Sequence, residues 1–327
     1  ITSNAVTTAT EDSAYSYTVE ASDADGDTLT MTGTTVPSWL SFNAATGVLS
    51  GTPANANVGT SGNDVVITVT DGNNGQVTDT FTITVANTND APTVANAISD
   101  ASTDEDAAYS LSISNVFTDD DSGDSCTYSM SGAPITITLS GTTISGTPVN
   151  ADVGTHTIVV TCTDGSSASV SDSYVLTVAN TNDAPTVASP IADVSTAEDA
   201  SFSLDVTSSF TDVDSGDTLT YTMSGAPSAL SISSGTITGS PVNADVGDHS
   251  IVVTATDGSN AAVSDTFVLT VTNTNDAPTI DSTADTTAEE DEAYSYTTVA
   301  SDVDAGDTVT LTCTTVPSWL SCTAGAL

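Results

Sequence analysis

Carboxylates are the residues of this chain best placed to do chemistry, and they recur in fixed settings. A Glu-Asp pair occurs at Glu11/Asp12, Glu105/Asp106, Glu198/Asp199 and Glu290/Asp291. An Asp-x-Asp followed by Gly-Asp occurs at Asp23/Asp25/Asp27, Asp119/Asp121/Asp124, Asp212/Asp214/Asp217 and Asp302/Asp304/Asp307, and an Asp-Gly turn at Asp71, Asp164 and Asp257. Clustered oxygen donors without thiolate or imidazole select a hard divalent cation. A lone Asp-x-Asp-Gly-Asp is often only a solvated turn, because Asp and Gly favour turns; recurrence in four places favours calcium. An EF-hand is excluded: with Asp23 as first loop position the twelfth is Thr34, not Glu.

Other reactive groups are sparse. His156 and His249 each precede an apolar run with no nucleophile in an evident partnership, so both read as surface histidines at strand edges. Two carboxylates flanking one bond could hydrolyse a glycoside, but fourfold repetition argues for ion binding instead. The expectation is a non-enzymatic chain.

Charge narrows the partners. The 327 residues include 43 Asp plus Glu and no Lys or Arg, giving a formal charge of −43. Nucleic acid and anionic membrane surfaces would be repelled, since both attractions need cations. High salt or bound metal must screen the acids. No apolar run reaches the ~18 residues of a membrane span. The chain opens at Ile1 without a basic stretch leading into an apolar one, so an export signal is expected to lie outside it.

The elements that must position these acids are repeats. Asn-Thr-Asn-Asp-Ala-Pro starts at Asn87, Asn180 and Asn273, 93 residues apart each time, and Gly-Thr/Ser-Pro recurs at Gly51, Gly146 and Gly239. Proline in the first motif fixes its own φ and biases its predecessor toward extended backbone, which makes short, stiff linkers. The expected modules are residues 1–90, 91–183, 184–276 and a partial 277–327. The last carries Thr315 to Leu320, matching Thr35 to Leu40, and stops about halfway. Its core is expected to be completed by further polypeptide of the same chain or by another chain.

Within a repeat the period is two. Val65/Ile67/Val69 and Phe81/Ile83/Val85 alternate with polar or smaller neighbours, as do Ile251/Val253/Ala255 and Phe267/Leu269/Val271. Short runs bounded by Gly, Asn and Asp predict an all-β chain of antiparallel sandwiches with about seven strands each and no helix of consequence. The linker, Asp-x-Asp and Asp-Gly turns would share one end of each sandwich, at the junction between consecutive repeats.

Trp39-Leu40-Ser41-Phe42-Asn43, followed by Thr46-Gly47-Val48-Leu49-Ser50-Gly51-Thr52-Pro53, resembles the cadherin-like repeat of the dystroglycan type, common in large bacterial surface proteins. Asn150-Ala151-Asp152-Val153-Gly154 and Asn243-Ala244-Asp245-Val246-Gly247 extend the likeness through all three full repeats and the partial fourth. The resemblance implies tandem Ig/cadherin-like sandwiches arranged as an elongated rod, with Ca²⁺ shared at each junction. The ligands it implies are Glu11, Asn87, Asn89, Asp90, Asp119, Asp121 and Asp164 at the first junction. At the second they are Glu105, Asp152, Asn180, Asn182, Asp183, Asp212, Asp214 and Asp257, and at the third Glu198, Asp245, Asn273, Asn275, Asp276, Asp302 and Asp304. One departure matters: the family's Asp-Arg-Glu element is replaced by Asn-Ala-Asp, and in the first repeat by Asn55-Ala56-Asn57, which implies fewer ions there.

Trp39 and Trp319, each after Val-Pro-Ser, read as packing residues with sugar stacking as the lesser alternative. Tyr15, Tyr109, Phe202 and Tyr294 share one register and read as core. Cys126/Cys162 and Cys313/Cys322 fall in pairs by repeat, which points to two disulfides and an oxidising, extracellular or cell-surface setting. Buried free thiols remain the alternative. Together these features describe a stalk or fibre segment of a surface adhesin or appendage mediating cell adhesion. Its partners would be other repeats of the same or neighbouring chains and cell-surface glycans or proteins. A self-assembling filament subunit and a glycan-binding module are the alternatives. Alkylation of the denatured, unreduced chain should add no mass if all four cysteines are paired; any adduct would show a free thiol.

Overall fold

The structure is a computed structural model that describes residues 1–323, in two compact units, 1–181 and 182–327. Three separate apolar cores are present, two in the first unit and one in the second.

In the first unit, Tyr15–Thr18, Val48–Gly51 and Leu40–Asn43 form one three-stranded sheet, and Thr30–Thr35, Asp64–Thr70 and Gln76–Thr82 form the other. Alternation along Asp64–Thr70 buries Val65, Ile67 and Val69 and leaves their neighbours at the surface, as a half-buried strand requires. Leu49, Val65, Ile67 and Ile83 are fully buried between the layers. The second core repeats the plan. A four-stranded sheet runs Ala101–Asp104, Ser169–Ala179, Gly154–Thr163, Thr127–Ser131, and a three-stranded sheet of Tyr109–Ser112, Thr143–Gly146 and Ile137–Ser140 covers it.

The second unit has the same two sheets. Val194–Ala197, Ala262–Thr272, Gly247–Thr256 and Thr220–Ser224 form the larger, and Phe202–Asp205, Thr236–Gly239 and Leu230–Ser233 the smaller. Residues 277–323 contribute one short pair, Thr279–Ile280 with Ala300–Ser301. The only helices among the described residues are single 3₁₀ turns, none long and apolar enough to cross a membrane.

The sandwiches are not wholly antiparallel. Thr8–Thr10, Ala101–Asp104 and Val194–Ala197 each run parallel to the last long strand or strand segment of their module. This places Glu11, Glu105 and Glu198 at the point where that strand ends: their backbone N–H groups donate to the carbonyls of Ala86, Ala179 and Thr272. The following Asp12, Asp106 and Asp199 adopt left-handed backbone, φ 56°, 57° and 57°, which Asp tolerates better than most residues. Each then donates its N–H to the proline of Gly-Thr/Ser-Pro, Pro53, Pro148 or Pro241. Two sequence landmarks are thus one structural corner. The glycine there is obligatory: a Cβ on Gly51, Gly146 or Gly239 would collide with the carbonyl oxygen of Trp39, Thr136 or Ala229.

Both cysteine pairs are bonded, Cys126–Cys162 and Cys313–Cys322. His156 and His249 are half-buried on strands, with Nε2 donating to the backbone carbonyls of Asp152 and Asp245 at 2.7 and 2.6 Å. Tyr15 and Tyr109 are core residues, whereas Phe202 and Tyr294 are half-buried.

Trp39 is half-buried, edge-on to Tyr15 at 5.7 Å, and its Nε1–H donates to Asn63 Oδ1 at 2.9 Å. Asn63, itself buried, donates in turn to the carbonyls of Asn57 and Gly59. Trp319 keeps the edge contact, to Tyr294 at 6.3 Å, but is 64% exposed, since residues 277–323 contain no counterpart of Asn63 and its strand. Replacing Asn63 with Ala would strip partners from a tryptophan N–H and two carbonyls. Urea unfolding followed by circular dichroism should show roughly 2–4 kcal/mol lost from the first core, while the second and third transitions stay in place.

Candidate metal centre

Glu11 and Glu198 begin as strand-end residues and finish as buried anions, 1% and 2% exposed. One oxygen of each is satisfied by a linker backbone amide: Thr88 N–H to Glu11 Oε2 at 3.2 Å, and Thr274 N–H to Glu198 Oε1 at 2.7 Å. The other oxygen, Glu11 Oε1 or Glu198 Oε2, is buried without a hydrogen-bond partner. A buried carboxylate oxygen in that state is costly unless a cation completes it. Lys and Arg are absent, and the two histidines, His156 and His249, bond to the backbone carbonyls of Asp152 and Asp245.

In the first unit, Glu11, the linker Asp90 and Asp121 of the next module each offer an oxygen within 4.8 Å of the others. Asp121 is held by the linker from both sides: Asn87 Nδ2 donates to its Oδ1 and Asp90 N–H to its Oδ2, both at 2.8 Å. Asn89 Nδ2 reaches Asp164 Oδ2 at 3.0 Å. A second group, Asp119, Asp121 and Asp124, converges equally closely, and Asp119 Oδ2 is buried and unpartnered. Thus Glu11, Asn87, Asn89, Asp90, Asp119, Asp121 and Asp164 all lie on one hydrogen-bonded or converging network.

The second unit holds the same arrangement at its later linker. Glu198, Asp276 and Asp304 converge within 4.8 Å, Asp276 N–H donates to Asp304 Oδ2, and Asp304 N–H donates to Asp302 Oδ1. Asn275 Nδ2 turns back on the Asp276 carbonyl, and Asn273 is exposed.

The remaining residues are described within their own units. Glu105 is 2% exposed, accepts from Thr181 N–H through Oε1, and leaves Oε2 unpartnered. Asp183 N–H donates to Asp214 Oδ2 and Asn182 Nδ2 to Asp257 Oδ2, while Asp212, Asp217 and Asp257 converge and Asp212 Oδ2 is unpartnered. Asn180 is exposed. Asp152 and Asp245 sit in 3₁₀ turns, where Oδ2 of each accepts the N–H of Val149 or Val242; Asp152 Oδ2 also accepts from Thr136 Oγ1.

Electrostatics follow from this crowding. Desolvation and the neighbouring Asp12, Asp121, Asp120 and Asp119 raise the Asp90 carboxyl above the ordinary aspartate value. Desolvation with Asp304, Asp199, Glu198 and Asp302 does the same to Asp276. Asp124 is also raised, by desolvation and by Asp119, Asp121 and Asp164. Asp164 and Asp257 move down, because the amides of Asn89 and Asn182 and the backbone N–H groups of their own turns stabilise the anion.

Sequence reasoning missed two classes of residue. Asp124 and Asp217 were legible as the Gly-Asp of the turn motif but were left out of the candidate set. Asn55 and Asn243 open the Asn-Ala-Asn/Asp segment; Asn55 Nδ2 reaches the Asp120 carbonyl and Asp121 Oδ1, and Asn243 Nδ2 reaches Asp304 Oδ1 at 3.1 Å. Their recurrence at one register was the available signal.

The profile of the "Putative Ig domain" family, He_PIG, matches residues 1–86, 91–179, 184–272 and 277–326. The Serine-rich adhesin for platelets of Staphylococcus aureus strain MRSA252 is 38% identical over 141 residues, which is 42% of this chain and 10% of that protein. The chain therefore spans a tenth or less of the curated relatives it matches. Among solved structures, protocadherin gammaB7 EC3-6 aligns with TM-score 0.53 and 19% identity, covering 92% of this chain and 82% of that one. Mouse cadherin-23 EC22-24 aligns with TM-score 0.50 and 18% identity, covering 82% and 97%. At these identities the likeness is one of fold. With three full sandwiches and a fourth match along nearly its whole length, the chain belongs to the He_PIG family of Ig domains, as a tandem array of cadherin/Ig-like repeats.

Proposed function

We propose that this chain is a non-enzymatic, extracellular segment of a surface adhesin or appendage, built of modules 1–90, 91–183, 184–276 and 277–327 and stiffened by calcium at its linkers. The observation that carries the reading is the buried glutamate with one carboxylate oxygen unpartnered, beside acids of the linker and of the next module, in a chain without Lys or Arg. The donor set fits the ion: all oxygen, several carboxylates, with backbone carbonyls and side-chain amides close by. Glu11, Asp90, Asp119, Asp121, Asp124 and Asp164 would hold ions at the first linker, and Glu198, Asp276, Asp302 and Asp304 at the last. Within the second unit Asp183, Asp212, Asp214 and Asp257 would hold an ion at the start of its first module. Bound Ca²⁺ supplies the positive charge that the acids lack.

The chain's own residues prepare the place. Asn87, Asn89 and the Asp90 N–H orient Asp121 and Asp164 by hydrogen bonds, which tie the linker to the following module. An ion touching Glu11, Asp90 and Asp121 at once would fix the linker to both sides of the joint. Adhesion by the larger protein is supported by the similarity to the staphylococcal adhesin. The glycan-binding alternative gains nothing from Trp39, whose indole N–H and ring face internal partners.

Titration calorimetry with CaCl₂ should show uptake in the ~10⁻⁴ to 10⁻³ M range of extracellular modules. Glu11→Gln should weaken the first site at least about tenfold, the cost typical even of a supporting partner, and leave the last site unchanged. Absence of uptake by the unsubstituted chain would overturn the reading. Affinity should also fall as pH is lowered through the carboxylate range. Asp90 and Asp276, whose carboxyls are raised, take up protons at higher pH than an ordinary aspartate and so lose the metal first. A pH-independent affinity would argue against these two as ligands.

A further inference from the structure

We propose that the Cys126–Cys162 disulfide is a positioning clamp for the acid turns of the second module, ordering them before a cation arrives; this rests on the reading of those acids as a metal site.

The argument starts from where the bond lies. The ladder between Thr127–Ser131 and Gly154–Thr163 ends at the pair Thr127↔Thr163. Immediately beyond that last pair the two chains enter the two turns that carry the acids: Asp119, Asp121 and Asp124 on one side, Asp164 on the other. Cys126 stands one residue outside the ladder and Cys162 inside it, opposite Tyr128, so the bond crosses at the position where a sheet end opens most easily. Each cysteine is two residues from an acid, Cys126 from Asp124 and Cys162 from Asp164. The bond therefore fixes the base of both turns with a very short tether.

Above the bond, the linker residues Asn87, Asn89 and Asp90 and the Asn55 amide hold Asp121 and Asp164 from outside, and the contacts inside each turn are few. Asp121 N–H donates to Asp119 Oδ1 and Asp124 N–H to the Asp121 carbonyl; Ser166 and Ala168 N–H donate to Asp164 Oδ1. Each of these bonds stays within its own turn. Asp119, Asp121 and Asp124 nevertheless converge within 4.8 Å, so like charges must be held together against their repulsion. The first and third modules place Leu29 and Val69, or Leu219 and Ala255, at the corresponding positions; in the third Leu219 packs against the apolar core that holds Ala255, and in the first the Asn73 amide donates to Asp27 Oδ2 from one turn to the other, with no covalent link in either. A covalent link at this place in one module alone lowers the ordering cost of that module's site relative to the others.

The decisive experiment is amide hydrogen exchange in chelator, paired with calcium titration. The variant Cys126→Leu/Cys162→Ala installs the third module's own residues. Its amides at Asp121, Asp124, Ser166 and Ala168 should exchange about tenfold faster or more than in the parent. Calcium should bind about tenfold more weakly at the first linker and unchanged at the last. Unchanged exchange at these four amides would overturn the clamp. Because the apolar pair could loosen the core itself, the converse variant Leu219→Cys/Ala255→Cys is measured in oxidised and reduced forms. Oxidation should slow exchange at Asp214, Asp217, Ser259 and Ala261, and equal rates in the two forms would also overturn it. If the parent takes up no calcium while exchange still responds to the disulfide, the metal reading fails and the clamp stands.

Discussion

Uncompensated negative charge at the linkers is the constraint from which most of this structure follows. A sequence with 43 acids, no Lys or Arg and two histidines has almost no internal means of pairing a buried carboxylate, yet it buries Glu11, Glu105, Glu198, Asp121, Asp164, Asp214, Asp257 and Asp304. Burying an ionised carboxylate without a counter-charge is among the most expensive things a fold can do. The cost is met in part by hydrogen bonds from linker amides, and Glu11 and Glu198 each still keep one oxygen without a partner while converging with two other acids.

The corner around each glutamate shows how local chemistry serves that constraint. A parallel first strand ends beside the last strand; the next aspartate turns left-handed and ties to the proline of Gly-Thr/Ser-Pro; the glycine makes room for a neighbouring carbonyl. None of these pieces touches a cation, yet together they aim a carboxylate at the linker. The middle aspartate of Asp-x-Asp shows the effect of a preceding linker. Asp121, Asp214 and Asp304 are buried and accept a linker N–H, whereas Asp25, with no linker seated on it, is exposed.

The repeats, the sandwich and the acid clusters were legible in the sequence because each rests on a local rule: period-two alternation, Pro and Gly at fixed places, and oxygen donors at constant spacing. Cysteine pairing was legible as arithmetic, although the alternative of free thiols could be set aside only once the strands bearing Cys126 and Cys162 were seen to be neighbours. What was not legible depended on contacts distant in sequence. The parallel pairing of the first strand joins residues 75 apart, Ala101 with Leu176, and no local pattern distinguishes it from an antiparallel partner. The support of Trp39 by Asn63 arises in a segment that the second and third repeats lack. The segment Asn55-Ala56-Asn57 reads in the sequence as implying fewer ions, and what that reading misses is the Asn55 amide, a donor to the next module's acid turn that oxygen counting does not reveal.

The central claim is that divalent metal fixes consecutive modules relative to one another. Small-angle scattering of the chain in millimolar calcium and then in excess chelator reads this directly. The account predicts a longer maximum dimension and a narrower distance distribution with calcium, and a shorter, broader one once the ion is removed. Superimposable curves under the two conditions would contradict it.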